Sequence, residues 1–329
     1  MSETTASNAV GAREQVLREL RDGERFVLVS HEHPDGDALG SLVAMHGVLR
    51  ALGKDAVIVI APEEFPLPQE YRFFALDGLC TGAPADLDRR TAVFLDCGNL
   101  DRIPIAELRD TEPLLNIDHH HDNTRFGTVN LVVEDASCTA ELVWDLARGL
   151  GVELTPQIAE ALYVGLVTDT GRFSYENTTP RAHLMAAELI EAGVDVAAIY
   201  RQIYEGVPLA KLELLARALA SVRRFDDGRV TVAVLSAEDF EATGSDDNHA
   251  EGIIDQLRTV AGTKVAVLIR DVCTQGRRGG RKVSLRATDD EVDVSAVARA
   301  FGGGGHRRAA GFSSELDTGA LVSAIRAQV

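Results

Sequence analysis

Four short apolar runs in this chain each stop at an acid or an imidazole. Phe26-Val27-Leu28-Val29 leads through Ser30 into His31-Glu32-His33-Pro34-Asp35-Gly36-Asp37, and Thr91-Ala92-Val93-Phe94-Leu95 leads into Asp96. Leu114-Leu115-Asn116-Ile117 leads into Asp118-His119-His120-His121, and Tyr163-Val164-Gly165-Leu166-Val167-Thr168 leads into Asp169. The first three read as strands, the fourth as the end of a helix that opens into a turn. In an open α/β sheet the carboxyl ends of the strands line one crevice, so residues far apart in sequence meet there. The recurrence predicts such a sheet, with roughly six or seven hard or borderline metal ligands facing one cavity.

The first run puts one imidazole and two carboxylates at i, i+4 and i+6, as His31, Asp35 and Asp37. Buried carboxylates this close repel each other unless a cation neutralises them, and a turn with Pro34 and Gly36 lets alternate side chains converge. The plainer reading is an acidic capping loop, with Asp37 as N-cap of the apolar-periodic segment from Leu39 to Leu52. A single Asp after a strand is also a common turn or cap residue, which applies to Asp96 and Asp169 taken alone. Three consecutive histidines could form an exposed metal-sticky tract, but such a tract would not follow an apolar strand. The joint pattern points to a metal site.

A chain of 329 residues with 45% hydrophobic content has material for two cores. No stretch reaches the length of a membrane span, and residues 1–12 lack a basic start and apolar core, so a soluble cytoplasmic protein without membrane partners is expected. Cys80, Cys97, Cys138 and Cys273 are widely spaced and read as reduced, mostly buried thiols. The net charge of −18 argues against binding long nucleic acid by backbone neutralisation. Between Arg270 and Arg308, however, Arg277, Arg278, Arg281, Lys282, Arg286, Arg299 and Arg307 form a local basic set suited to a small phosphorylated ligand, while the acids there cluster at Asp289 to Asp293. Arg277 and Arg278 read more simply as a solvated loop.

The expected architecture is α/β in two lobes: an N-terminal, largely parallel-sheet domain over 1–192, a helical linker over 193–220 and a smaller α/β domain over 221–329. Strands are expected at 26–30, 56–60, 91–95 and 114–117, then at 230–235, 264–270 and 282–286, with helices near 248–260, 294–300 and 318–327. The polar amino terminus reads as frayed. The run Gly302 to Gly305 precedes His306, so its backbone N–H groups are uncrowded and able to approach an anion. A tight turn is the alternative, although four glycines exceed what a turn needs.

Taken together, His31-x-x-x-Asp35-x-Asp37, Asp96, Asp118-His119-His120 and Asp169 resemble the motifs of the DHH phosphoesterase superfamily. Gly302 to Gly311 resembles the signature of its associated DHHA1 domain. The resemblance is greatest to the NrnA-type subgroup, which degrades very short RNA and removes the 3′-phosphate of 3′-phosphoadenosine 5′-phosphate (pAp). It implies two divalent ions, with His31 and Asp35 on one, Asp37, His119 and Asp169 on the other, and Asp96 as bridge. It further implies that His120 touches the phosphate and that Asp118 orients the site from behind. A carboxylate and imidazole set without thiolate favours Mn²⁺, with Mg²⁺ or another divalent ion also suited. Arg286, Gly303, Gly304, Gly305 and His306 are the implied nucleotide contacts, and Ala287 stands where many relatives carry serine. Asn99, Arg102, Asn123 and Arg172 are further polar candidates that caps and turns explain equally well.

The implied reaction is hydrolysis of P–O3′ bonds, the bond type common to short RNA, pAp and linear pApA. A cyclic-di-AMP or pApA phosphodiesterase would use the same metal constellation. The glycine run counts against pyrophosphatases and exopolyphosphatases, and a RecJ-type exonuclease would be expected to carry an added DNA-binding module. A non-catalytic nucleotide sensor would have lost ligands, whereas all six expected ones are present. Oligomeric state stays open, a homodimer included.

Overall fold

Runs rich in β-branched and aromatic residues, bounded by polar turns, form the strands of the first sheet. The computed structural model describes residues 3–274, 277–289 and 291–329, without the side chains of 3–9, 273–274, 277–279 and 306. Its chain divides into two units, Met1–Glu205 and Gly206–Val329. In the first unit β1 (Arg25–Val29), β2 (Asp55–Val59), β3 (Leu79–Cys80), β4 (Thr91–Leu95), β5 (Leu114–Asp118) and β6 (Val129–Val132) pair in the order β3-β2-β1-β4-β5-β6, all parallel. Strand order reverses between β1 and β4, the switch point at which doubly wound sheets open a crevice beyond the carboxyl ends of their strands.

The helices of this unit are α1 (Glu3–Asp22), α2 (Gly36–Ala51), α3 (Thr139–Gly149), α4 (Pro156–Asp169), α5 (Pro180–Glu191) and α6 (Val196–Tyr204). Alternation along the strands decides which side chains meet them. Phe26, Leu28, Val93, Leu95 and Ile117 pack with Leu39, Leu42 and Met45 of α2, Val143 of α3 and Leu162 and Leu166 of α4. Val27, Val29, Ala92 and Phe94 point the other way, onto Ile103 and Leu108 in a segment of short 3₁₀ turns. Each such Val, Leu, Ile, Phe or Met side chain contributes about 1.5–3 kcal/mol when fully buried. Both faces are therefore covered, and the strands read as continuous apolar runs for that reason.

The second unit contains β7 (Arg223–Phe225), β8 (Val230–Leu235), β9 (Val265–Thr274), β10 (Arg277–Ala287), β11 (Gly304–His306) and β12 (Ala309–Ser314). They pair in the order β11-β12-β10-β9-β8-β7, with β8 and β9 parallel and the rest antiparallel. Its helices are α7 (Leu209–Ala220), α8 (Ala237–Thr243), α9 (Ile253–Arg258), α10 (Val294–Ala300) and α11 (Thr318–Arg326). One sheet face buries Val232, Val267, Val283 and Leu285 against α10 and α11, and the other buries Ala233, Leu235 and Leu268 against α7 and α9.

The stretch expected as a linker is shared between the units. Ile199 of α6 joins the first core, whereas Leu214 and Ala218 of α7 join the second, so the division falls at Glu205 and Gly206. Among the described residues no helix is long and apolar enough to cross a membrane.

Candidate metal centre

His31 lies just beyond β1, Asp96 directly follows β4, Asp118 closes β5 and Asp169 closes α4. Val29 pairs with Phe94, and Leu95 with Ile117, which lines up these strand ends at the crevice. Asp96 itself has φ +58°, a left-handed conformation that a non-glycine residue adopts at a cost.

The cap expected of Asp37 belongs to Asp35, whose Oδ1 accepts from the backbone N–H groups of Asp37 and Ala38, both at 3.0 Å. Asp37 caps a different helix. Its Oδ2 accepts from Thr139 N–H at 2.6 Å and its Oδ1 from Ala140 N–H at 2.9 Å, at the start of α3, whose own N-cap Cys138 makes no side-chain bond. The positive end of α3 thus faces a buried carboxylate. A Cβ on Gly165 of α4 would lie 2.7 Å from Asp37 Oδ1, so this close approach requires glycine there.

Asp96 Oδ2 is 3.6 Å from His31 Nε2, while its Oδ1 is 3.7 Å from His119 Nε2 and 3.6 Å from His120 Nδ1. His119 Nε2 is also 4.0 Å from Asp37 Oδ2 and 3.6 Å from Asp169 Oδ2. Three groups consequently have ligand atoms close enough to share an ion: His31 with Asp35 and Asp96, Asp37 with His119 and Asp169, and Asp96 with His119 and His120. Asp96 and His119 each belong to two of them.

Hydrogen bonds behind the rings set their orientation. His31 Nδ1 is 2.7 Å from the Glu32 carbonyl and His119 Nδ1 is 3.3 Å from that of Ala136, an arrangement that leaves each Nε2 lone pair for the site. Arg102 Nη2 also crowds His31 Nδ1, at 3.0 Å. His120 Nδ1 is 2.8 Å from Asp118 Oδ1, and the other Asp118 oxygen accepts from Asn123.

Burial, reinforced by the charge of Asp96, pushes the carboxyls of Asp35 and Asp37 up. Burial likewise lifts Asp169, to about 6, with Asp96 and Asp35 adding to the effect. Burial also opposes ionisation of Asp96, but its bond to His31 and the charges of His120, His31 and His119 hold it well below the usual carboxylate range. Although burial works against a charge on His120, Asp118 and Asp96 raise the imidazole to about 9.

This donor set fits divalent cations. Among the described residues, Asp35, Asp37, Asp96 and Asp169 have no lysine or arginine ion pair, and the ionisable side-chain nitrogens close to them belong to imidazoles. Oxygen and imidazole ligands without thiolate suit Mn²⁺ or Mg²⁺, and positive charge there would remove the repulsion that lifts the acids.

The remaining expected residues have varied surroundings. Asn99 caps a 3₁₀ turn by accepting from Asp101 N–H at 2.9 Å, and Asn123 spends its amide on Asp118, Cys97, Asn116 and Arg125. The Arg172 guanidinium sits 4.9 Å over the Tyr204 ring. His121 is exposed and joins none of the three groups, so the triplet register starts at Asp118. In the second unit Arg286 lies 3.7 Å from Asp255. A Cβ on Gly303 would collide with the Gly311 carbonyl and Phe312, whereas one on Gly304 would meet nothing within 4 Å. A side chain at Gly305, with φ +132°, would meet Ala309 and Ala310. The His306 side chain lies outside the described residues.

Two residues escaped the sequence reading. Thr139 donates its hydroxyl to Asp96 Oδ1 at 3.0 Å, and Asn177 donates to Asp169 Oδ2 at 3.2 Å. Ser137-Cys138-Thr139 before an amphipathic run signals a helix start, but not which distant carboxylate that start will hold.

A switch-point sheet carrying shared acid and imidazole ligands, followed by a second unit with a glycine-rich edge strand, defines a phosphoesterase of the DHH kind, and the chain belongs to the DHH family. Residues 25–166 match the DHH family, N-terminal domain, and residues 227–329 match the DHHA1 domain. The chain is 34% identical over 287 residues to the bifunctional oligoribonuclease and PAP phosphatase NrnA of Thermus thermophilus, covering 86% of this chain and 82% of that protein. It is 26% identical over 309 residues to the protein of the same name in Bacillus subtilis, covering 91% and 92%. The fold matches that of an exopolyphosphatase-related protein from Bacteroides fragilis, with a TM-score of 0.84 at 22% identity over 97% of this chain and 95% of that one.

Proposed function

We propose that this chain is a cytoplasmic enzyme that hydrolyses P–O3′ bonds of short oligoribonucleotides, giving 5′-mononucleotides, and of pAp, giving AMP. The observation that carries the reading is the carboxylate of Asp96, with one oxygen toward His31 and the other toward His119. The names of the Thermus thermophilus and Bacillus subtilis relatives, which align over most of their length, join the same two activities.

His31 and Asp35 would hold one divalent ion and Asp37, His119 and Asp169 the other, with Asp96 shared and Mn²⁺ the preferred metal. Such ions, when bound, supply Lewis-acid stabilisation of phosphoryl charge and an activated water. The other groups belong to the chain. Asp118 occupies Nδ1 of His120 and favours its protonated form, so that Nε2–H would donate to a phosphoryl oxygen. Asn123 serves by holding Asp118, and Asn99 by fixing the turn after Asp96. Arg286, the N–H groups of Gly303, Gly304 and Gly305, His306 and Arg172 are the contacts to the nucleotide.

A product time course with Mn²⁺ on a 5′-phosphorylated RNA dimer, pAp, pApA and cyclic di-AMP at equal concentration tests this. The dimer, pApA and pAp are expected to yield mononucleotides well ahead of any loss of cyclic di-AMP. Cyclic di-AMP consumed fastest would overturn the reading.

A further inference from the structure

Tyr175 is the most exposed Phe, Tyr or Trp side chain among the described residues, at 51% against 37% for Phe65. It is nonetheless firmly seated. A Cβ on Gly171 would collide almost equally with Cζ, Cε1 and Cε2 of the tyrosine, and near-equal approach to three adjacent ring carbons marks a ring face, not an edge. One face of the ring is therefore backed by glycine, which leaves the opposite face as the one able to carry the residue's 51% exposure.

The turn that presents this ring is strained. Gly171, Arg172 and Phe173 have φ of +54°, +62° and +62°, a left-handed run that is costly for residues with a Cβ. Neighbours hold it in place: Arg172 N–H donates to the Val167 carbonyl at 2.8 Å, Tyr175 N–H donates to that of Thr170 at 3.0 Å, and Phe173 stacks on His183. Both ends of the turn are anchored at Asp169, through its neighbour Thr170 on one side and through the Asn177 amide on the other. An aromatic face carried on a turn tied at both ends next to a candidate metal ligand suits a ligand that has a planar ring close to a phosphate.

We propose that the open face of Tyr175 is a stacking platform for the nucleobase of the substrate. This deepens the functional reading above and rests on it for the identity of the substrate. A ring face, unlike a hydrogen-bonding edge, accepts any base and favours purines through their larger overlap.

The test compares pAp with its abasic analogue, the tetrahydrofuran 3′,5′-bisphosphate, in the parent and in Tyr175→Ala. The parent is expected to favour pAp in KM by about tenfold, the range of one base stacked on an aromatic side chain. Tyr175→Ala is expected to erase that preference, and Tyr175→Phe and Tyr175→Trp to keep it. A preference in Tyr175→Ala equal to the parent's would overturn the platform. Binding is read separately in Tyr175→Trp without metal, where AMP is expected to quench the new indole emission and unchanged emission counts against stacking. If the parent hydrolyses neither compound, the functional reading fails, while quenching by AMP still decides the platform.

Discussion

His31 Nε2 stands 3.6 Å from Oδ2 of Asp96, which leaves the other oxygen of that carboxylate to face His119. An amide at this position would offer one neutral oxygen to one side only, and an alanine none. Asp96→Asn and Asp96→Ala are expected to lower kcat/KM on pAp on the order of a thousandfold or more, because both proposed ion positions would lose a ligand together. Circular dichroism should remain that of the parent. Activity within about tenfold of the parent at saturating Mn²⁺ would remove Asp96 from the bridging role.

Asp118 is fully buried and bonds to Nδ1 of His120 at 2.8 Å, so it acts through that ring. Asp118→Asn is expected to reduce kcat about 10–100-fold, the usual cost of losing an outer hydrogen bond to a site imidazole. Combined with His120→Ala it should add little, since the ring through which it acts is gone. Fully additive losses in that double-mutant cycle would show that Asp118 works independently.

What the sequence could reveal depended on how local the physics was. The strands before His31, Asp96 and Asp118 were legible because each is a continuous apolar run ending in a polar residue, and helix Val294–Ala300 because Asp293 caps it. That His31, Asp96 and Asp118 would come together was legible because chain direction puts strand ends together whatever the side chains do. Asp37 as the cap of α3 was not, since its partners Thr139 and Ala140 lie more than a hundred residues away. Helix α1 was hidden by its polar composition, although Val16, Leu17 and Leu20 are buried. Strands β11 and β12 were hidden because glycine and alanine carry no alternating pattern, and the need for Gly303 arises from its packing on Gly311 and Phe312.

Metal and pH should be linked with a definite sign. Without metal, Asp169 is raised to about 6 and Asp37 is also raised, so the folded chain holds protons that the unfolded chain releases near pH 4. Stability of the chelated protein therefore falls as pH rises from about 4 through 6. His120, raised to about 9, has the same sign: its contribution is complete below about 6.5 and is lost as pH passes 9. Bound cations need ionised acids and neutral ligating imidazoles, so their stabilisation grows with pH. The Tm increment produced by Mn²⁺ is expected to be larger at about pH 8 than at about pH 5.5, and Asp169→Asn should flatten the difference. A larger increment at the lower pH would contradict the assignment of these groups.

The glycine run can be divided by experiment into packing and ligand contact. Gly303 has no room for a side chain beside β12, while Gly304 faces open space. Gly303→Ala is expected to destabilise the second unit, visible as a lower Tm or insoluble protein. Gly304→Ala should keep the parent's Tm and raise KM for pAp severalfold, because a methyl group would stand between the backbone N–H groups and an anion. An unchanged KM in Gly304→Ala would reduce the run to a structural turn.

Substrate length is the last expectation, and it rests on how the basic residues are already spent. Arg281 is 3.3 Å from Asp271, Lys282 3.9 Å from Asp247, Arg286 3.7 Å from Asp255, and Arg299 and Arg307 are 3.8 and 3.9 Å from Asp293. Cations paired in this way, on a chain of net charge −18, do not form the continuous basic track by which long strands are held. One or two can be recruited by a short, highly charged ligand, but each added phosphate of a longer strand meets a negative surface. Cleavage rates are expected to fall steeply as 5′-labelled RNA grows from two to about ten nucleotides, and raising the salt should narrow the difference by screening the repulsion. A strand of about 24 nucleotides degraded as fast as a dimer at physiological salt would replace the short-substrate reading with that of a processive exonuclease.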